Sequence, residues 1–208
     1  MIPSIFFLHG LGSLPATATG RRLDAATGIA SVKLAYGPDK TWETNILSLQ
    51  HQAAKADANS IFVGESMGGF FAAQLAAQLR ARCCLLNPVI VPAWQLRQFI
   101  GRFTIEGGTS VTITEAAVRS YNAAPDPRTA GTMGRIGLVL SHNDPVISPE
   151  DTGVYYGGWA GFVERVYDGH CFGHDASYKI IGDRIRAWNM DTAFPAIACD
   201  CNGDCAGK

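Results

Sequence analysis

Ile61-Phe62-Val63-Gly64-Glu65-Ser66-Met67-Gly68-Gly69-Phe70-Phe71-Ala72-Ala73-Gln74 is the stretch whose reading decides the fold. Residues 61–63 are a short apolar run rich in β-branched and aromatic side chains, the pattern of a buried strand. From Met67 onward the chain turns rich in Ala, Gln and Leu, which favour helix. Between the two lies G-x-S-x-G, formed by Gly64, Ser66 and Gly68. That motif carries chemistry when a strand precedes it and a helix follows, and both do here. The turn is tight enough to hold its serine in a strained conformation. A side chain at position 64 or 68 would crowd it, and Gly69 extends the free space. Ser66 Oγ is then exposed at the carboxyl end of the sheet, with the positive end of a helix beside it. Ser66 is the candidate nucleophile.

Working outward, short apolar runs alternate with helical patterns. Strands are expected at 5–8, 31–36, 60–64, 83–86, 136–141 and 161–167, and helices at 15–26, 41–58, 67–81 and 175–189. Thr41 is placed to cap the second helix, with Trp42, Ile46 and Leu49 on one face. In the last helix Ile180, Ile181, Ile185 and Trp188 face the sheet. This alternation specifies a doubly wound, mainly parallel six-stranded sheet covered on both faces. With the serine elbow it reads as a compact α/β-hydrolase, a single domain over 1–194. One interval breaks the rhythm. Residues 89–134 hold Pro92, Pro125, Pro127 and Gly107-Gly108, with helical pieces near 93–99 and 114–121. An insertion of this length is usually functional, and it reads as a small lid; the competing reading is an ordinary crossover with long loops.

In this fold the acid and base follow the nucleophile in the order Ser, Asp/Glu, His. The loop after the fifth strand, Ser141-His142-Asn143-Asp144-Pro145-Val146-Ile147, offers Asp144. Glu150 and Asp151 are rivals, but they follow Ser148-Pro149 and fit the first turn of a helix. After the sixth strand come His170 and His174 in Gly169-His170-Cys171-Phe172-Gly173-His174. His170 directly follows the strand and its turn, where it can reach back to Ser66, and is the preferred base; His174 is the alternative. Cys171 is read as a buried or spectator thiol. Upstream, His9-Gly10-Leu11-Gly12-Ser13 follows the first strand. The backbone N–H groups of Leu11 and Met67 are the candidate oxyanion hole, and His9 a structural residue of that loop. The expected chemistry is attack of Ser66 on an acyl carbonyl, with His170 moving the proton.

The 208 residues are 47% hydrophobic, and 17 Lys+Arg against 18 Asp+Glu leave a net charge of −1. That balance gives no electrostatic footprint for nucleic acid. No run reaches the length of a membrane span, and the first residues lack the basic n-region of a signal peptide. The expectation is a soluble, cytoplasmic protein. Of six cysteines, Cys83 and Cys84 fall in a strand and should be buried. Cys199, Cys201 and Cys205 crowd a C-terminal tail, 195–208, whose spacing is not a paired CxxC. The tail is read as flexible, and no metal or cofactor is expected.

A family resemblance rests on five segments: Leu8-His9-Gly10-Leu11-Gly12-Ser13; Gly64-Glu65-Ser66-Met67-Gly68-Gly69-Phe70-Phe71-Ala72; Leu86-Asn87-Pro88; Asn143-Asp144-Pro145-Val146-Ile147; and Gly169-His170-Cys171-Phe172. Together, in order over about residues 5–185, they resemble the small bacterial esterases of the YqiA/UPF0227 type. The elbow and the HG loop are generic to the fold; the Asn-Pro pair and the G-x-H-x-F end are more specific. The resemblance implies carboxylesterase or acyl-thioesterase activity with Ser66, Asp144 and His170 as triad. It also favours His170 over His174, because Phe stands two positions later. Residues 93–127 and the tail depart from the family pattern.

The leading expectation is hydrolysis of short- to medium-chain acyl esters, with Trp94, Leu96, Phe99 and Phe103 as candidate acyl-pocket lining and Ile100 a further apolar residue of the same segment. Acyl-CoA thioester cleavage would want a basic patch, for which Arg97 and Arg102 are the candidates. Lactone or polyester cleavage uses the same triad. A non-catalytic binding protein on this fold is the alternative of another class, and the complete triad speaks against it.

Overall fold

The computed structural model describes residues 3–16 and 18–190. In chain order the elements are β1 (Ile5–Leu8), α1 (Ala18–Thr27), β2 (Val32–Leu34), α2 (Trp42–Gln52), β3 (Ile61–Glu65), α3 (Met67–Leu79), β4 (Arg82–Leu86), α4 (Pro92–Gln95), β5 (Gly101–Thr104), β6 (Ser110–Ile113), α5 (Glu115–Ser120), β7 (Ile136–Ser141), α6 (Pro149–Tyr156), β8 (Ala160–Val166) and α7 (Asp175–Met190). Six strands form one parallel sheet in the order β2-β1-β3-β4-β7-β8.

The period-2 geometry of the strands sorts the core into two layers. Phe6 and Leu8 of β1 join Phe62 of β3 on one face, under α2 and α3. Ile5 and Phe7 join Ile61 and Val63 on the other, under α1 and α7. Every residue of β1, β3 and β7 is buried, as strands covered on both faces require. β8, at the edge, alternates in exposure. The expected helix faces are in place: Trp42, Ile46 and Leu49 are buried on α2, and Ile181, Ile185 and Trp188 on α7, with Ile180 half-buried beside them. Thr41 caps α2 by accepting from Thr44 N–H.

The chain leaves β1 for β2 on one side and returns to β3 on the other. The loops after β1 and β3 therefore diverge, leaving a crevice at the carboxyl ends of the strands, where open α/β sheets bind ligands. The oxyanion-loop candidate and the elbow occupy those two loops.

The interval 89–134 contains more than the two helical pieces expected. Between them is an antiparallel hairpin, β5–β6, with Gly107 and Gly108 at its tip, both at φ +85°. Four-residue strands are too short to register in a hydrophobic period, but the Gly-Gly between two runs of alternating exposure was the available signal. The later half of the interval is built into the core. Ile113, Val118 and Tyr121 are buried, and Ser120 Oγ accepts from Trp42 N–H at 2.7 Å. The expected tail lies outside the described residues.

Candidate active site

Ser66 has φ +54° and ψ −120°, a conformation that costs a residue with a Cβ on the order of 1–3 kcal/mol. Backbone hydrogen bonds hold it there. Ser66 N–H donates to Leu86 O at 2.9 Å, and Ser66 O accepts from Gly69 N–H at 2.9 Å and Val89 N–H at 3.0 Å. The glycines are a steric requirement. A Cβ on Gly64 would overlap the Gly68 carbonyl, one on Gly68 would overlap the carbonyl oxygens of Leu8 and His9, and one on Gly69 would lie 2.7 Å from Pro88 Cβ.

Ser66 Oγ lies 2.9 Å from His170 Nε2. His170 Nδ1 donates to the Asp144 carboxylate, at 2.8 Å to Oδ2 and 3.0 Å to Oδ1. Asp144, its side chain shielded from solvent, also accepts from the N–H groups of Val146 (2.8 Å) and Ile147 (3.0 Å), which fixes its orientation. The other candidates stand elsewhere. The His174 side chain is 71% exposed, 3.8 Å from Asp168 rather than near Ser66. Glu150 and Asp151 occupy the first turn of α6, where Ser148 Oγ accepts from Asp151 N–H. Cys171 is exposed and takes no part in the Ser66–His170–Asp144 chain, while Cys83 and Cys84 are buried.

His9 is buried, stacked on Tyr36 with ring centroids 4.7 Å apart, and donates from Nδ1 to Gly10 O at 2.9 Å. Burial lowers its pKa against the opposing pull of the Gly10 carbonyl, so the ring stays neutral. The Tyr36 hydroxyl donates to His9 O at 3.0 Å. The loop that follows is also gripped from above. Glu106 N–H, at the hairpin tip, donates to Gly12 O at 2.6 Å; Leu14 N–H donates to Glu106 Oε2 at 3.3 Å; and a Cβ on Gly12 would meet the Phe103 ring at 3.0 Å.

A cavity of about 400 Å³ opens at Ser66 and His170. Leu11 and Met67 line it, as do all four candidate pocket residues, Trp94, Leu96, Phe99 and Phe103, together with Val89, Val146 and Ile147. Met67 is the first residue of α3, so its N–H has no partner within the helix. Ile100, Arg97 and Arg102 do not line it. The described residues contain no group of three or more His, Cys, Asp or Glu that could hold a metal. None of the described helices is long and apolar enough to cross a membrane.

Three buried polar residues brace the site. Asn87, at φ +42°, donates from Nδ2 to the carbonyls of Gly169 (3.2 Å) and His170 (3.0 Å) and accepts Ser141 N–H on Oδ1 at 2.8 Å, tying the ends of β4 and β7 to the histidine loop. Glu65 accepts Phe172 N–H at 3.1 Å and Thr19 Oγ1 at 3.2 Å. Burial raises its pKa and those two donors oppose the rise. Asp168 accepts from the N–H groups of Gly169 (2.9 Å), Gly173 (3.0 Å) and His174 (3.1 Å) and from Ser177 Oγ (2.8 Å). The sequence reading assigned no role to Glu65 or Asp168. For Asn87 the Asn-Pro pair marks the position but not the side chain's partners. None of the three belongs to a motif that states what its side chain must reach.

Burial works to raise the Asp168 pKa, but its donors outweigh burial and hold it below the ordinary carboxylate value. A depressed folded pKa gives stability that is present above the unfolded value and lost as pH falls through the folded one. Asp168→Asn should therefore cost about 1.5–3 kcal/mol at neutral pH and flatten the acid limb of the stability curve. Urea unfolding from neutral to acid pH measures both, and an unchanged acid limb would contradict this account.

Strand order, the elbow after β3 and the crevice between the β1 and β3 loops define an α/β-hydrolase fold. The chain belongs to UPF0227, described as an uncharacterised protein family, whose sequence profile matches residues 4–179. Comparison with curated proteins finds no match. Among solved structures, Est1E from Butyrivibrio proteoclasticus is similar with a TM-score of 0.63 at 16% identity, covering 91% of this chain and 87% of that one. A structure from the work on LipS and LipT, two metagenome-derived lipolytic enzymes, gives 0.60 at 15% identity, covering 90% and 93%. The esterase domain of a Rhodothermus marinus protein gives 0.61 at 13%, covering 89% and 85%. At these identities the likeness is one of fold.

Proposed function

We propose that the protein is a serine hydrolase that cleaves carboxylic esters of short- to medium-chain acyl groups through an acyl-enzyme. The observation that carries this reading is the hydrogen-bonded chain Ser66–His170–Asp144 on the wall of an apolar cavity of about 400 Å³, a volume suited to a small-molecule site. His170 Nε2 takes the Ser66 proton as Oγ attacks the carbonyl carbon. Asp144 holds the imidazole in the tautomer that can accept it and stabilises the imidazolium. The N–H groups of Leu11 and Met67 receive the charge on the carbonyl oxygen. His170 returns the proton to the leaving oxygen, and water repeats the cycle to release the acid.

In this reading the chain is a single domain spanning 1–194, and within 89–134 the hairpin and α4 cap the acyl pocket while Ile113, Val118 and Tyr121 pack into the core. The apolar lining, with Arg97 and Arg102 both off it, supports a neutral ester over an acyl-CoA thioester. The free thiols of Cys83, Cys84 and Cys171 suit a reducing, cytoplasmic compartment.

A fluorophosphonate probe followed by peptide mass spectrometry should label Ser66. p-Nitrophenyl esters of increasing acyl length, run beside matching thioesters, should show turnover with an optimum at short to medium length. Absence of labelling together with absence of turnover would leave the fold as a binding protein and defeat the proposal.

A further inference from the structure

A second cavity of about 330 Å³ adjoins the first, and the two share Trp94, Gln95, Val146 and Ile147 as a common wall. Ser66 and His170 line only the first. A substrate held at Ser66 and long enough to pass this wall would place in the second cavity a part remote from the bond that breaks. The Trp94 residue is 70% exposed, an unusual position for a large aromatic.

The second cavity differs in charge from the first. Its walls combine the apolar Ile90, Val91, Trp94, Val146 and Ile147 with the polar Gln95, Ser148 and Thr152, and Asp151, itself exposed, is its one charged residue. The neighbouring Glu150 faces Arg165 at 3.6 Å, and Asp126, on a third cavity, is held by Arg128 at 2.6 Å. Asp151 has no ion-pair partner among the described residues. An aromatic ring, a largely apolar wall and one carboxylate without an ion-pair partner suit an alkylammonium group. The ring face attracts the cation, the carboxylate neutralises it, and the walls cover its methyl groups. A neutral group of the same shape gains the burial alone, and an anionic one is repelled.

We propose that this second cavity is a subsite for a cationic group at the far end of the substrate, so that the enzyme prefers acyl esters ending in an ammonium. The inference rests on the hydrolase reading above. The test uses two p-nitrophenyl esters with the same five-methylene acyl chain, one ending in trimethylammonium and the other in the isosteric tert-butyl group. The wild type should favour the cationic ester by roughly five- to thirtyfold in kcat/KM, and added salt should shrink the ratio. Asp151→Asn and Trp94→Leu should each bring the ratio toward one. The ratio is taken within each variant, so a general loss of activity does not disguise the result. Equal rates in the wild type, or a ratio that survives Asp151→Asn, would overturn the subsite while leaving ester hydrolysis in place. Failure to turn over either ester would strike the hydrolase reading itself, and the subsite with it.

Discussion

Ser66→Ala should lower kcat/KM for a p-nitrophenyl ester by roughly four to six orders of magnitude while leaving the circular dichroism and melting temperature close to wild type. The fold is expected to tolerate the change because the elbow is held through the Ser66 backbone, by Leu86, Gly69 and Val89, and not through its hydroxyl. His170→Ala should fall about as far, since nucleophile and base act as a unit. His174→Ala should stay within a few-fold of wild type, because that side chain is largely exposed, faces Asp168 and does not line the cavity at Ser66. Retained turnover in Ser66→Ala would end the mechanism, and a dead His174→Ala with an active His170→Ala would move the base.

The second large effect concerns the fold. Gly68→Ala should cost on the order of 4–5 kcal/mol, the extreme of single substitutions, and lower the melting temperature by roughly 10–15 °C. The added Cβ would meet the carbonyl oxygens of Leu8 and His9, which are backbone at the end of a central strand and cannot rotate aside. Gly28→Ala is the control. Its Cβ meets nothing within 4 Å, and only the φ of +72° penalises it, by about 1–2 kcal/mol. Thermal melts of the two variants should differ widely, and similar melts would contradict the steric account.

Most of the framework was legible in the sequence, because buried parallel strands and amphipathic helices write their burial into residue order. The expected strand at 136–141 matches β7 residue for residue, and the last helix begins at Asp175 as read. The order Ser66, Asp144, His170 was legible for a related reason. Each residue follows a strand, and strand ends converge on one edge of the sheet. The hairpin β5–β6 was not, since its four-residue strands are too short to show a period and the Gly-Gly tip was the one mark it left. The bracing by Asn87, Glu65 and Asp168 was also hidden. Each joins segments far apart in the chain, as when Glu65 reaches Phe172, and only the folded arrangement states that partnership.

The grip of Glu106 on Gly12 and Leu14 makes the hairpin and the loop bearing Leu11 one mechanical part. A change in the length or sequence of the hairpin is therefore transmitted to a loop 92 positions earlier in the chain, and the two segments cannot be altered independently.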